Sequence, residues 1–166
     1  MNFIEVKYEQ TLFWSEPHPC IFIDGERLDK IVQQLCPDED YLGLIPTLFS
    51  ALHNDAQAKV VWERVLPKER ASILPVLMCP DDVDLYCTLI VVEVTVMDKV
   101  VIWKRFGLDD SCGDSYVPTW LGTDVKWIQD SPTFEFDIND YRLMLKEFKE
   151  EIAKNADYID IIKQVS

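Results

Sequence analysis

The sequence predicts a single α+β domain, 1–166, in which a mainly antiparallel sheet with a long central hairpin is packed by helices, including one near the C-terminus. Three observations predict this class. Residues 85–107, LYCTLIVVEVTVMDKVVIWKRFG, are rich in β-branched side chains and contain no glycine or proline before the last position. Shorter strand-type and helix-type segments flank them, and a chain of 166 residues can build one sizeable core.

The apolar segment 85–107 is predicted to be neither a membrane span nor a helix. Its longest uncharged run ends at Val92, because Glu93 follows, whereas a span needs about 20 apolar residues. Its β-branched side chains suit a pleated surface better than a helix. Two strands joined by a tight turn are therefore expected.

The register of this hairpin follows from its turn. If residues 98–99, Asp-Lys, form a two-residue loop, Glu93 lies opposite Lys104 and Val94 lies opposite Trp103. This register pairs opposite charges and places an aromatic ring against a β-branched side chain. The Trp103 ring is then expected in the core.

Short strands are predicted near the N-terminus. Residues 4–8 alternate apolar and polar side chains, and the segments TLFW at 11–14 and CIFIDG at 20–25 are bounded by turn residues. The pattern indicates two or three strands, with a turn at Asp24-Gly25.

Two helical zones follow. Apolar residues recur at helical spacing in ERLDKIVQQL, residues 26–35, and this segment stops before Pro37. A second zone is predicted from about 41 to 66, with a break near 54–55 and an end at Pro67.

The second half is predicted to return to strands and to finish on a helix. SILPVLMCP, VKWI and TFEF are strand-like, and Asp137 is a suitable N-cap for a helix within residues 136–154. The face that should cover the sheet consists of Tyr141, Leu145, Phe148 and Ile152. Before this helix, the turn-rich segment 109–124 predicts a long loop, which is more often functional than accidental.

Charge is the strongest global signal. The formal net charge is −14, from 30 acidic and 16 basic residues, so nucleic acid is a poor partner. Residues 108–140 contain eight acidic residues against Lys126 alone, whereas residues 59–70 contain four basic residues and two acidic ones. We expect a negative surface that attracts a cationic protein, although solubility alone also explains an acidic composition.

The cysteines and the first residues indicate a reducing compartment. The five cysteines are odd in number and scattered along the chain, which is unlike a secreted disulfide framework. The opening MNFIEVKYEQ is neither a secretory signal nor a transit peptide in composition. The expectation is a cytoplasmic protein.

No motif predicts catalysis, a cofactor or a metal. CPDDVDLYC crowds Cys79, Cys87 and three aspartates into nine residues, but it lacks paired zinc-ligand spacing and fails the calcium-loop pattern. We interpret it as a turn with solvated aspartates and core cysteines. His18 and His53 are interpreted as structural or surface histidines, so the expectation is a protein that is not an enzyme.

Partner binding is assigned instead to acidic residues and one tryptophan. Four of the five tryptophans have surroundings that predict core packing, whereas Trp120 lies in the loop segment YVPTWLG beside negative charge, a composition typical of protein-binding hot spots. The alternative is that this ring folds back onto the sheet. The predicted partner-binding residues are Asp81, Asp82, Asp84, Asp109, Asp110, Asp114 and Trp120.

Several segments carry a resemblance. They are LPVLMCPDDVDLYCTLIVVEV, VVIWKRFGLD, VKWI and FEFDINDYRLML, together covering about residues 74–145, with IFIDGERL near the N-terminus. In these segments the chain resembles a group of small acidic bacterial cytoplasmic proteins of the type found as immunity proteins beside polymorphic toxins. The resemblance implies a non-enzymatic α+β protein that binds and neutralises a cognate toxin.

Three hypotheses remain at this point. In the first, an acidic face of an immunity-type protein docks on a cationic toxin, such as a nuclease with a basic cleft. The second is an acidic adaptor or structural module unrelated to toxins, acting as a homodimer through an open sheet edge. The third, which the absence of motifs disfavours, is a small enzyme or metal protein using Cys79, Cys87 and nearby aspartates.

Overall fold

The computed structural model describes residues 1–49, 52, 55–111 and 119–154. In chain order the elements are β1 (Ile4–Glu9), β2 (His18–Ile23), β3 (Glu26–Arg27), α1 (Leu28–Leu35), β4 (Ile45–Pro46), α2 (Asp55–Glu63), β5 (Ser72–Met78), β6 (Leu89–Met97), β7 (Val100–Asp109), β8 (Val125–Trp127), β9 (Phe134–Asp137) and α3 (Ile138–Ala153). The predicted α+β class is confirmed. One antiparallel sheet has the order β1-β2-β3, and the other has the order β4-β5-β6-β7-β8 with β9 also paired to β7.

The central hairpin is confirmed, with one irregularity in its register. Val94 pairs with Trp103 as predicted, and a bulge next to this pair makes two residues of β7 face Glu93 alone. The Glu93 carboxylate lies 3.7 Å from Lys104 Nζ and accepts a hydrogen bond of 3.0 Å from Arg105 Nε. The predicted charge pair is therefore present and is extended by a second cation.

The N-terminal strands are confirmed except for one segment. Strands β1 and β2 pair in antiparallel register, and the turn at residues 24–25 has φ angles of 51° at Asp24 and 82° at Gly25. The prediction of a strand at TLFW is wrong. The chain turns there, because Trp14 N donates to Thr11 O at 3.3 Å and the Thr11 hydroxyl is hydrogen-bonded to His18.

The helix predicted over residues 41–66 is wrong in its first part. Within the described residues of this zone, helix α2 is confined to Asp55–Glu63, whereas Ile45 and Pro46 form an edge strand on β5. Proline has no backbone N–H group to donate, and it is tolerated in an edge strand because one side of that strand pairs with no neighbour. The residues just before Asp55, including His53, lie outside the described residues.

Long-range hydrogen bonds explain why residues 41–43 are not helical. The Gln33 side-chain oxygen accepts from the backbone N–H groups of Tyr41 and Leu42, each at 2.8 Å. The buried Asp29 carboxylate accepts from Gly43 N at 2.9 Å. Side chains of α1 therefore bind the backbone donors of this segment, which no local periodicity reveals.

Helix α3 begins as predicted. The Asp137 carboxylate accepts hydrogen bonds from the N–H groups of Asn139 and Asp140 at 2.8 and 3.4 Å, which confirms it as the N-cap. The predicted face is buried, at Tyr141, Leu145, Phe148 and Ile152. Helix α3 therefore packs its apolar face inward. No helix among the described residues combines the length and apolar character needed to cross a membrane.

Trp103 is at the centre of the core, as predicted. It is fully buried, and its ring centroid lies 5.3 Å from that of Phe136 and 6.2 Å from that of Tyr141 in edge-to-face geometry. Its indole N–H donates to the Tyr141 hydroxyl at 3.3 Å. Core packing is confirmed for Trp62 as well, whereas the remaining two predicted core tryptophans, at 14 and 127, are only half-buried.

The strand order determines which loops are neighbours. Because β5, β6, β7 and β8 alternate in direction, the β5–β6 connection and the β7–β8 connection leave the sheet at the same end. We call this the loop end. The turn at residues 98–99 lies at the opposite end, which we call the hairpin end.

Replacing Trp103 with alanine tests the position of this ring. The Trp103→Ala variant should lose about 3–5 kcal/mol of unfolding free energy, because the deletion leaves a large cavity in the sheet core. Urea denaturation followed by circular dichroism measures the loss. The control is Met97→Ala, where the side chain is 63% exposed and the expected change is within about 0.5 kcal/mol. A loss below about 1 kcal/mol in Trp103→Ala would contradict the assignment.

Candidate functional site

The loop end of the sheet brings together two of the segments that carry predicted binding residues. The β5–β6 connection contains Asp81, Asp82 and Asp84, and Asp109 and Asp110 lie at the end of β7 and just after it. The turn that contains Trp120 leads into β8 at the same end. Asp114 lies outside the described residues.

The β5–β6 connection is fixed at several points and still presents carboxylates to solvent. Val83 N donates to Cys79 O at 3.1 Å, and Leu85 N donates to the buried Gln57 side chain at 3.0 Å. Asp81 and Asp82 are exposed, whereas the half-buried Asp84 accepts from Tyr86 N at 3.0 Å. Two of the three aspartates in this turn are therefore accessible to a partner.

The Asp109 carboxylate supports the neighbouring turn from within. Its Oδ1 atom accepts hydrogen bonds from Ser111 Oγ at 2.9 Å and Gly122 N at 3.0 Å. Burial raises the pKa of Asp109, and these hydrogen bonds together with the charge of Arg64 oppose that rise. Asp109 therefore acts as a positioning residue for the turn that carries Trp120.

Asp110 differs from Asp109 because it faces solvent. Its side chain is 47% exposed and its carboxylate lies 3.7 Å from Lys126 Nζ, a distance at which an exposed pair contributes little to stability. Asp110 therefore adds negative charge to the loop end, partly offset by Lys126.

An aromatic pair joins the two loops. The rings of Tyr86 and Trp120 lie 6.2 Å apart, centroid to centroid, at an angle of 32°, and Tyr86 is 42% exposed. Trp120 is half-buried and also packs against the edge of the core. The Trp120 ring therefore folds back onto the protein, and one side of the ring pair stays accessible.

The turn around Trp120 is held against β5. Arg64 Nη1 donates to Leu121 O at 2.8 Å and to Ile73 O at 3.0 Å. Gly122 has a φ of 89°, and a Cβ atom there would lie 2.7 Å from Ile73 Cβ. Only glycine fits this backbone, so the turn approaches β5 as closely as it does because residue 122 has no side chain.

The acidic segment 108–140 does not form one patch. Strand β9 pairs with the start of β7, and Asp137 lies opposite Val100. This register places Asp137 and the beginning of α3, with Asp140, at the hairpin end, away from Asp109 and Asp110. The acidic surface of the loop end is formed instead by residues far apart in sequence.

A cluster of metal-ligand type lies in the turn that only the third, disfavoured sequence-based hypothesis treats as a metal site. The Sγ atoms of Cys79 and Cys87 and a carboxylate oxygen of Asp82 all lie within 4.8 Å of one another. The pKa of Cys87 is raised to about 11, mainly by burial and to a smaller extent by the hydrogen bond to Asp82. The sequence signal was two cysteines flanking an aspartate-rich turn, but nothing in the spacing showed that the turn folds back between them.

Another cysteine, Cys20, lies beside a histidine, but the pKa values of the two groups do not suit catalysis. Cys20 Sγ lies 3.6 Å from His18 Nδ1, and both residues are buried. Burial raises the pKa of Cys20 to about 12 and lowers the pKa of His18. Both groups stay neutral at pH 7, whereas a nucleophilic cysteine needs a lowered pKa beside its base.

A basic cleft lies at the hairpin end. It has a volume of about 1110 Å³, and Trp62, Leu145 and Ile138 are among its apolar lining residues. Four cations line it, Lys68, Arg142, Lys146 and Lys149, against the two acidic residues Glu63 and Asp98. The segment 59–70 contributes Lys68 and Glu63 to this lining. Cations therefore outnumber anions in this cleft, whereas Asp81, Asp82 and Asp110 give the loop end negative charge.

No protein-family model matches the chain, and neither the curated proteins nor the solved structures contain a match.

The buried His18 should make stability depend on pH. Because burial lowers its pKa below the value of about 6.5 in an unfolded chain, the folded state binds fewer protons than the unfolded state. The free energy of unfolding should therefore fall as pH drops through about 6.5. Urea denaturation at about pH 7.5 and 5.5 should show a smaller fall in His18→Gln than in the unmodified protein. Equal falls would contradict this assignment.

Proposed function

We propose that this protein is a non-enzymatic immunity-type protein, which binds a cationic bacterial toxin at the loop end and neutralises it in the cytoplasm. The observation that carries the proposal is the convergence of the exposed Asp81 and Asp82 with the Tyr86–Trp120 ring pair. Charge around an accessible aromatic pair is the composition of a protein-binding hot spot. The resemblance to immunity proteins motivates the choice of partner.

Electrostatics favours this end of the molecule for a cationic partner. A nuclease toxin, for example, needs a basic cleft to hold phosphates, and an inhibitor gains association rate by presenting negative charge to it. The cleft lined by Lys68, Arg142, Lys146 and Lys149 would repel the same partner. The charge difference between the two ends therefore favours one orientation of approach.

The thiols agree with the proposed compartment. Cys20, Cys36, Cys79 and Cys87 are free in the described part of the chain. Free thiols are usual in the reducing cytoplasm, where an immunity protein protects the cell that makes it.

The alternative of a homodimer through a sheet edge receives less support from this fold. The strands at the edges of the larger sheet are β4, with two residues, β8, with three, and β9, with four. Strand β8 also carries the exposed Lys126. Short and charged edge strands are devices that disfavour strand pairing between chains.

Co-expression tests the proposal directly. The protein is expressed with the product of the gene beside its own, in cells that this product otherwise kills. Survival and a stable complex of the two purified proteins are expected. An adjacent gene product that neither kills cells nor binds this protein would refute the toxin assignment, and the acidic adaptor would then be the better description.

Removing one exposed charge should slow association. We expect Asp81→Asn to lower the association rate constant at low ionic strength and to approach the unmodified rate at high salt, where screening removes steering. The matched control is Glu69→Gln, which removes one exposed carboxylate next to the basic cleft. Surface plasmon resonance at several salt concentrations measures both. Equal slowing in the two variants would show that only net charge matters, and the loop end would then not be supported as the binding surface.

Trp120 should contribute to the lifetime of the complex. Trp120→Ala should weaken binding by about 1–2 kcal/mol, mainly through faster dissociation, because it removes half of the aromatic pair. Leu143→Ala, at a 54% exposed position on α3, is the control and should change affinity little. Urea denaturation of each variant separates lost binding from lost folding. Unchanged affinity in a folded Trp120→Ala protein would place the docking surface elsewhere.

A further inference from the structure

The base of the β5–β6 connection holds two thiols close together. Met78, the last residue of β5, pairs with Leu89, the first residue of β6, so the positions just beyond this pair face each other across the mouth of the connection. Cys79 lies directly after Met78, and Cys87 lies two residues before Leu89. The pairing of Met78 with Leu89 therefore brings the two cysteines close together, whatever path the connection takes between them.

The connection returns a carboxylate to the same point. Val83 N donates to Cys79 O at 3.1 Å, which closes the turn just after Asp82. One oxygen of Asp82 thereby lies within 4.8 Å of both sulfur atoms. Both cysteines are half-buried and Asp82 is exposed, so an ion can reach the cluster from solvent.

We propose that Cys79, Asp82 and Cys87 form a binding site for one zinc-like thiophilic divalent cation, with water as the fourth ligand. The site shares Asp82 with the proposed toxin-binding surface, but the titration that tests it needs no partner protein, so the two proposals can fail independently.

The distances fit tetrahedral zinc after a small contraction. With zinc–sulfur bonds of about 2.3 Å and zinc–oxygen bonds of about 2.0–2.2 Å, tetrahedral ligands lie about 3.5–3.8 Å apart. The ligand atoms here lie within 4.8 Å, so rotations of exposed or half-buried side chains of the turn can close the set. Three protein ligands leave one position open, as in zinc sites that retain a water molecule.

The donor set selects against hard cations. Two thiolates and one carboxylate suit zinc or cobalt, whereas calcium takes six to eight oxygen ligands and magnesium keeps several waters around oxygen donors. On binding, each thiol releases its proton to solvent and the sulfur coordinates as a thiolate.

The experiment is a titration of the full-length protein, stripped of metal and kept reduced, with Co²⁺ and then with competing Zn²⁺. We expect a sulfur-to-cobalt charge-transfer absorption that saturates at one equivalent and disappears as zinc displaces cobalt. Calcium at equal concentration should have no effect.

Variants assign the ligands. Cys79→Ser and Cys87→Ser should each lose most of the charge-transfer absorption, and Asp82→Asn should weaken zinc binding at least about tenfold, since even outer-shell partners contribute about 10–100-fold. The controls are Asp81→Asn, the adjacent exposed carboxylate, and Cys36→Ser, a half-buried thiol elsewhere. Both should bind metal like the unmodified protein. Circular dichroism of each metal-free variant confirms that it is folded.

Three outcomes would overturn the proposal. The first is the absence of thiolate absorption at one equivalent in the unmodified protein. The second is equal zinc affinity in Asp82→Asn and Asp81→Asn, which would show that Asp82 is not a ligand. The third is a mass lower by two hydrogens in the peptide that carries Cys79 and Cys87, with no metal uptake, which would show that an oxidant has paired these two thiols as a disulfide.

Discussion

The pairing of β6 with β7 is the interaction on which the rest of the structure depends. It places Trp103 opposite Val94 in the sheet, so that the indole reaches the rings of Phe136 and Tyr141. Through the Trp103–Tyr141 hydrogen bond, and the bond of 3.1 Å from the Tyr141 hydroxyl to Val65 O, the same pairing connects the sheet to α3 and to the chain after α2. A slip of one residue in β7 would turn Trp103 to the other face of the sheet, away from these rings.

The bulge at Glu93 adjusts this pairing where the face becomes polar. One extra residue on β7 lets Lys104 and Arg105 both approach the Glu93 carboxylate. Arg105 also stacks on Trp127, with its guanidinium carbon 3.8 Å from the ring centroid. This contact is geometrically suited to a cation–π interaction, and it covers an aromatic ring that the core does not enclose. The bulge therefore adds Arg105 to the predicted charge pair, and the Arg105 side chain covers Trp127 on β8.

The sequence could predict those parts of the fold that short-range signals determine. The β-branched run predicted the hairpin, and Asp137 before an apolar helical face predicted the start of α3, because capping and periodicity are local properties. Residues 41–43 were assigned wrongly because their backbone donors bind Gln33 and Asp29, whose side chains come from the preceding helix. The spacing of apolar residues gives no indication of such hydrogen bonds.

The candidate sites were harder to predict for a related reason. Which acidic residues meet depends on strand direction, which separates Asp109 from Asp137 although both belong to one acidic segment. The convergence of Cys79, Asp82 and Cys87 depends on the path of one turn, and the sequence showed only that such residues were close along the chain.

The support behind Trp120 explains why the loop end suits recognition better than a free loop would. The Asp109 carboxylate holds the turn to the end of β7, and the Arg64 guanidinium and the close approach of Gly122 to Ile73 hold it against β5. A partner that contacts Trp120 therefore has less conformational entropy to remove, and ordering costs of this kind reduce affinity when a surface is mobile. Asp109 thus serves a binding surface by holding its backbone, while Asp81 and Asp82 supply accessible charge. Such a division between supporting and exposed carboxylates lets the loop end combine a fixed aromatic pair with long-range attraction.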